Sequence, residues 1–381
     1  MAKVLLVDTN FSSGPILNYL RNAGHTVMFA GGKPNDFLAK ATPGYQQLDY
    51  SNPAELADLC TQLGIEYLVP GCNDRSYYSC AEVSETLHFP GIDRLEATET
   101  INHKQKFRSY AQREGLSVPR VFDNDETPAC AVIVKPVDAY SGRGITVVQA
   151  GETSQLHKAI GTAKAESRSG DCLVEEYVEG QLYSHSAFVV NGRVVQDFVV
   201  IEHGSANRFV VDTSHLAIDF PVEVHTRIRR EIEHLAQSLR LCDGLVHTQF
   251  LLKGNEFWLV EITRRCPGDL YSQLIELSTG FPYVASYTKG FLGQHAAPGP
   301  IKQQFILRHT VTLPHEGLLQ HLHFKHPLHL ERWVPIASTG DLVAPSPAGR
   351  IALLFARCAN AAELQTLASH AVNRQLYTFN G

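Results

Sequence analysis

The chain has 381 residues, 44% hydrophobic and 19% charged, with a formal net charge of −6. This is the balance of an ordinary globular protein of two or three domains, and it offers no basic footprint for nucleic acid or acidic membranes. The opening run MAKVLLVDTN is too short for a secretory h-region or a spanning helix, and no later apolar run reaches spanning length without charge.

In chain order, KVLLVD predicts a strand, GPILNYLRNAG a helix stopped at Gly24, HTVMFAG a strand, PAELADLCTQLG a helix and IEYLVPG another apolar strand. This βαβ alternation predicts a parallel sheet with helices on its faces. The first turn, DTNFSSGP, lacks the G-x-G-x-x-G that lets a backbone approach a pyrophosphate, which argues against a nicotinamide cofactor. Residues 103–115 read as a helix, followed by a strand, a Gly/Ser loop and another strand in ACAVIVKPVDAYSGRGITVVQAG. A helix over 154–166, the strand CLVEEYVEG, β-rich stretches at 183–200 and 245–263, and a charged helix at 226–240 complete the middle of the chain. Beyond about residue 300, RIALLFARC and NAAELQTLASHAVN predict a small appended α/β lobe.

The eight cysteines (Cys60, Cys72, Cys80, Cys130, Cys172, Cys242, Cys266, Cys358) include no C-x-x-C pair. They read as small buried residues of a reducing compartment, so the cytoplasm is the expected location. The loop DAYSGRG lies between two strands, unlike a Walker A loop, yet Gly142 and Gly144 can turn tightly and present N–H groups to an anion. Lys135, at the end of the apolar strand before it, must either snorkel or meet an anion. In LVEEYVEG, exposed backbone after the strand could pair with a base edge while apolar side chains sandwich the ring; a plain acidic turn is the alternative. In LVHTQFLLKGNEFWLVEITRRCPGD, two strands flank a Gly-Asn turn and end in an acid and two arginines, which suits a metal ion on phosphate or a salt-bridged hairpin end. The run HLHFKHPLHL brings His321, His323, His326 and His329 close in sequence. It lacks Cys or acidic partners at zinc spacings and contains a proline, so an irregular, partly exposed strand is expected. Cys266 reads as packing rather than as a nucleophile.

Taken in order, the helix carrying Lys104, VKP with SGRG, EEYVEG and VEITRR resemble the ATP-grasp superfamily. The HTQ strand, EITRR-x-PGD and the tail around GRIALLFARC look most like the carboxylate–amine ligases of the L-amino-acid ligase group. The resemblance implies a pre-ATP-grasp, doubly wound α/β N-terminal lobe over 1–100 and an α+β, two-lobed ATP-grasp fold. Its lid region would be 101–182 and its metal and catalytic region 183–298, with a C-terminal lobe over 299–381. It implies that ATP is bound by Lys104, Lys135, Ser141, Gly142 and Gly144 at the phosphates, with Glu176, Tyr177 and Val178 at the adenine and Glu175 orienting Lys135 or the adenine amino group. Mg²⁺, or Mn²⁺ in the same role, would sit on Glu261 with Gln249 and Thr263, and Arg265 would stabilise an acyl phosphate and its transition state. Arg264, Arg208, Gly268 and Asp269 are the expected substrate contacts.

Three positions depart from the family pattern: Leu182 replaces the ribose-binding Glu, Gln249 the first metal-binding acid, and Thr263 the Asn after the second. Gln and Thr offer a hard cation oxygen without charge. The implied activity joins a small-molecule carboxylate to an amine through an acyl phosphate, with release of ADP and phosphate, in a homodimer without nucleic-acid or membrane partners. A biotin-carboxylase-like or purine-pathway ligase and a nucleotide-binding regulator without turnover are the alternatives.

Overall fold

The computed structural model describes residues 1–41, 43–138 and 142–379. The strands Lys3–Val7, Thr26–Gly31, Tyr45–Gln47 and Tyr67–Pro70 form a parallel sheet in the spatial order third, second, first, fourth. Their apolar runs are almost wholly buried because helices cover the sheet, as parallel sheets require. The connecting helices Gly14–Asn22, Pro53–Leu63 and Asp74–Leu87 begin and end where local chemistry dictates. Asn52 accepts from Ala54 N, Pro53 opens the helix, and Gly64 closes it at φ 62°, a left-handed stop that glycine takes without a Cβ clash. The sheet order reverses beside Lys3–Val7, which leaves a crevice at the carboxyl ends of that strand and Tyr67–Pro70.

Helices Leu95–Asn102 and Lys104–Glu114 lead into a second sheet, antiparallel, of Val121–Phe122, Cys172–Glu176, Val132–Pro136 and Thr146–Val148. Helix Thr153–Glu166 packs Leu156, Ala159, Ile160 and Ala163 onto Val132, Val134 and Val148. This is a small, separate core.

The largest sheet runs Glu256–Thr263, Gly244–Lys253, Gln181–Val190, Arg193–His203, Thr213–Leu216, Phe305–Val311, Ala352–Cys358, His329–Pro335, with every neighbour antiparallel. Period-two alternation sorts its side chains. Ala187, Val189, Val199 and Val246 pack under helix Val222–Ser238, whereas Phe188, Phe198, Val200 and Leu245 face the N-terminal lobe and helices Tyr271–Thr279 and Tyr283–Phe291. Ser184, Glu202 and Gln249 share that second face.

The C-terminal part differs from the appended lobe expected from sequence. Thr213 pairs with His309 and Ser214 with Arg308, so Phe305–Val311 extends the central sheet, and Ala352–Cys358 and His329–Pro335 follow it. The reason is the open edge that Thr213–Leu216 would otherwise present. Helix Ala361–Val372 then covers the joined strands. Among the described residues, no helix is long and apolar enough to cross a membrane.

Candidate active site

A cleft of about 950 Å³ opens where the three sheets meet. At one end lies a buried charge relay. Helix Lys104–Glu114 carries Arg108, whose Nε donates to Glu175 Oε1, and Lys135 Nζ lies 2.5 Å from Glu175 Oε2. Glu175 is fully buried. Burial alone would raise its pKa, but Lys135 and Arg108 together hold it below the usual carboxylate range. Burial lowers the Lys135 pKa, and Glu175 opposes that shift. One acid thus fixes two cations, with Lys135 at the cleft wall beside Lys104 and Gly142. Lys104 Nζ also donates to Val137 O at 3.4 Å. Gly142 has φ 70°, and a Cβ there would stand 3.1 Å from Val210, so the loop approaches the facing wall closely only as glycine. Ser141 lies outside the described residues.

The strand Cys172–Glu176 runs into the expected hinge. Glu176 N donates to Arg120 O at 2.8 Å and Tyr177 N to Ala131 O at 2.9 Å, which pins the segment where Glu176, Tyr177 and Val178 line the cleft. Arg208 reaches across from the opposite wall, its guanidinium 5.0 Å from the Tyr177 ring centroid and 5.2 Å from that of Phe209. This cation–π bridge sits above an apolar slot that includes Ile133, Leu182, Leu251 and Val260. Its shape and polarity suit a planar heterocycle.

Past the slot, the hairpin of Gly244–Lys253 and Glu256–Thr263 supplies the acid. Gln249 pairs with Glu261 and Phe250 with Leu259, leaving Val260 as one extra residue. This β-bulge switches the alternation. Phe257 and Leu259 point into the core under helix Val222–Ser238, and after the bulge Glu261 turns into the cleft while Ile262 returns to that core. Arg108 NH2 donates to the Val260 carbonyl at 2.8 Å, securing the bulge from the relay. Glu261 is exposed to the cleft and has no hydrogen bond or ion pair among the described residues. Gln249 Nε2 donates to Glu202 Oε2 at 2.7 Å, which leaves its carbonyl oxygen for another partner. A partnerless carboxylate beside an amide oxygen is a hard-oxygen donor set that fits Mg²⁺ or Mn²⁺ held against a polyphosphate.

Arg265 closes this region. Its Nε and NH2 bind Asp74 Oδ1 and Oδ2 at 2.9 and 2.8 Å. Burial would raise the Asp74 pKa, but the Arg265 charge and bonds lower it. Asp74 opens the helix after Asn73, whose side chain caps Ser76 N at 2.8 Å, so the N-terminal lobe holds the guanidinium in place at the cleft. Gly268 lets the two lobes meet, since a Cβ there would lie 2.9 Å from Cys72 O.

The far end is also charged. Arg308 is buried and donates to Asp269 O at 2.8 Å, Ser214 Oγ at 3.2 Å and Thr310 Oγ1 at 3.0 Å, and it pairs with Asp269 Oδ2 at 3.0 Å. Glu202 stands two strands away, in register with Arg308 through Ser214, 3% exposed, with its pKa pushed up to about 7 by burial and by the Asp269 charge. Arg350 lines the same end. Burial and the Arg308 charge lower its pKa.

Most expected residues thus share one cleft, but Gly144, Arg264 and Thr263 do not; Gly144, at φ 68°, turns against Pro136 and Glu166 instead. Arg264 is 4% exposed and points away. Its Nε and NH2 bind Asp93 at 2.6 and 3.3 Å, and NH1 and NH2 reach Leu245 O and Cys242 O, each at 2.6 Å. Adjacent side chains in extended backbone face opposite ways, so if Arg265 enters the cleft Arg264 cannot, and its expected substrate contact is corrected to an internal ion pair. Thr263 is also removed from the metal set. Its hydroxyl donates to Asp74 Oδ1 at 3.0 Å, and it does not line the cleft. Cys266 is buried, and burial pushes its thiol pKa up, as a packing role requires. The four-histidine run spans the strands Leu322–Phe324 and His329–Pro335, with His326 stacked on His370.

Among the described residues, the one group of three with metal-ligand geometry is His185, Asp197 and His225, on the helix-covered face. Both imidazoles already bind Asp197 Oδ2, at 2.8 and 2.7 Å, and Arg229 binds Oδ1 at 3.2 Å. The sequence reading missed Arg108, Asp74, Glu202, Arg308 and Arg350. Arg108 and Asp74 were visible as charged residues next to stretches already singled out, and Glu202 as an acid in the apolar run VVIEHG.

Residues 101–269 match the family model described as ATP-grasp domain. Carbamoyl phosphate synthase large chain from Vibrio cholerae is 21% identical over 213 residues, which are 52% of this chain and 19% of that protein. The chain therefore spans about a fifth of that relative. Among solved structures, L-amino acid ligase from Bacillus licheniformis superposes with TM-score 0.82 at 15% identity, covering 100% of this chain and 99% of that one. Phosphoribosylglycinamide synthetase from Anaerococcus prevotii superposes with TM-score 0.78 at 16% identity, covering 100% and 99%. Residues 101–269, which carry the relay, hinge and hairpin, thus match an ATP-grasp domain, and the fold of the whole chain is shared end to end with these structures.

Proposed function

We propose that the protein is an ATP-dependent carboxylate–amine ligase, with amino acids as the first substrate class to test. One observation carries this reading: a single cleft of about 950 Å³ joins the two lysines, a hinge with an apolar slot, an acid–arginine junction and the charged groups Glu202, Asp269, Arg308 and Arg350. The adenine would lie in the slot under the Arg208–Tyr177 bridge. Lys104 and Lys135 would bind the phosphates, with Glu175 holding Lys135 in place. A Mg²⁺ or Mn²⁺ ion on Glu261 and Gln249 would neutralise phosphate charge when bound.

A substrate carboxylate oxygen would attack the terminal phosphorus, breaking its bond to the ADP oxygen and forming an acyl phosphate. The amine nitrogen would then attack the acyl carbon, phosphate would leave, and the nitrogen would lose a proton. Arg265 would meet charge on the transferring group with a planar fork that Asp74 has already oriented, which is positioning and charge neutralisation of the kind phosphoryl transfer needs.

The test is ADP release and product mass spectrometry with MgATP and pairwise combinations of the twenty common amino acids, alongside bicarbonate and formate. Amine-dependent ADP release with a product of the summed mass less water is expected. Bicarbonate- or formate-dependent release would move the protein to the carboxylase-like or purine-pathway reading. ATP binding without release from any acid would make it a regulator.

A further inference from the structure

Two carboxylates near Arg308 in the cleft have unequal provision. Asp269 has a cation, Arg308, at 3.0 Å. Glu202 has none in contact: it forms no ion pair among the described residues, its hydrogen-bond partners are the neutral side chains of Gln249, 2.7 Å away, and Ser184, and the Arg308 charge reaches it only from beyond ion-pair distance. Arg308 spends four of its five N–H donors on Asp269, Ser214 and Thr310 and makes no ion pair with Glu202, on which its charge acts only from a distance. A buried carboxylate without a counter-cation in contact is unfavourable, because burial removes its water without supplying a compensating charge. Such a group is stabilised when a ligand brings the positive charge. Glu202 lines the cleft, so the ligand has access.

The proposed reaction needs a primary amine that arrives largely as its ammonium form. An ammonium is compact and donates three hydrogen bonds. Glu202 lines the cleft beside Gln249, with Asp269 and Arg308 near it, so a guest there would lie next to the acid–arginine junction. We propose that Glu202, with Asp269 as its neighbour, receives the ammonium group of the amine co-substrate, which gives up one proton to water before its nitrogen attacks the acyl carbon. This rests on the ligase reading and assigns its second subsite.

The experiment compares the parent with Glu202→Gln, Glu202→Ala and Glu202→Asp at saturating MgATP and a fixed acid. The nucleophile is either the best amino acid from the pairwise screen or hydroxylamine, which is uncharged at pH 8 and traps acyl phosphates as hydroxamates. Glu202→Gln is expected to raise KM for the amino acid at least tenfold. The ratio of amino-acid-dependent to hydroxylamine-dependent ADP release should fall by a similar factor, with Glu202→Asp in between. Mg²⁺ titrations of nucleotide binding in a calorimeter supply the second readout, and there Glu202→Asp, which keeps a carboxylate acceptor for Gln249, should match the parent. An unchanged KM overturns the assignment. So does a shifted Mg²⁺ titration, which would make Glu202 a metal ligand instead. If Glu202→Gln fails to fold, the KM of Glu202→Asp decides, and a parental value overturns the proposal. Failure of the parent to form hydroxamate from any acid would remove the ligase reading itself, an outcome separate from the others.

Discussion

Arg264 donates all its bonds into the interior, whereas Arg265 shares Asp74 and faces the cleft. Replacing Arg264 with Ala strands Asp93 at 0% side-chain exposure, and breaking a buried pair this way costs about 3–5 kcal/mol. Chemical denaturation should show that loss for Arg264→Ala, while the folded fraction binds ATP like the parent. Arg265→Lys keeps the charge and gives up the fork, so kcat should fall at least tenfold while KM for ATP moves little; a parental kcat would reduce Arg265 to a lobe-joining ion pair. His309 sets an acid limit on stability. It bonds Thr213 Oγ1 at 2.8 Å and Tyr377 OH at 2.9 Å, and burial, opposed by the Asp212 charge and helped by Arg308 and Arg374, pushes its pKa from 6.5 down to about 4. A depressed pKa means that the neutral ring contributes fully above pH 6.5 and that its contribution is lost as pH falls through 4. Two and a half units correspond to roughly 3 kcal/mol. The stability gap between the parent and His309→Gln should shrink by about that amount between pH 7 and pH 4.

The bulge at Val260 sets how its hairpin lines the cleft. EFWLVEIT reads as one apolar strand with an acid in it, and nothing in that pattern marks an extra residue, because a bulge is defined only by the partner strand. The acid itself was legible; its direction was not. The same divide runs through the site. Lys135, Gly142 and the hinge were readable because each belongs to one continuous segment. Glu202 beside Gln249, and Arg308 beside Asp269, were not, since strands distant in sequence bring them together. The helices were readable to within a few residues: the charged one expected at 226–240 runs Val222–Ser238. The extra residue lets two successive side chains, Val260 and Glu261, line the cleft. Deleting Val260 leaves Glu261 opposite Gln249 and next to core-facing Leu259, so simple alternation still turns the acid into the cleft. That variant should keep Mg²⁺-dependent nucleotide binding in calorimetry while losing the bond from Arg108 to the Val260 carbonyl; loss of the Mg²⁺ dependence would mean that the bulge itself is needed to aim the acid.

Across the whole molecule, the cleft is walled by parts of unequal robustness. The lid sheet rests on a small core of its own, while the central sheet is packed on both faces. Bound nucleotide should therefore act mostly on the lid. Saturation at a hundredfold over Kd adds about 2.7 kcal/mol to stability, and hydrogen exchange should slow chiefly over residues 121–176 on adding MgATP. Glu261→Gln should remove the Mg²⁺-dependent part of that protection; full protection in this variant would exclude Glu261 from the metal.

The C-terminal strands have a consequence for biosynthesis. Thr213–Leu216 is an interior strand only because Phe305–Val311 lies beside it, and Phe305–Val311 in turn has Ala352–Cys358 on its outer edge. On the ribosome, about 140 residues must be added after Leu216 before Cys358 emerges, which at ordinary elongation rates takes roughly 7–30 seconds. Through that interval the nascent chain carries an open β-edge in the middle of its largest sheet, the kind of surface that chaperones shield and neighbouring nascent chains can invade. The N-terminal parallel sheet closes on strands that lie within the first 70 residues, so the lobe that orients Arg265 is ready long before the sheet that carries Glu202 is sealed.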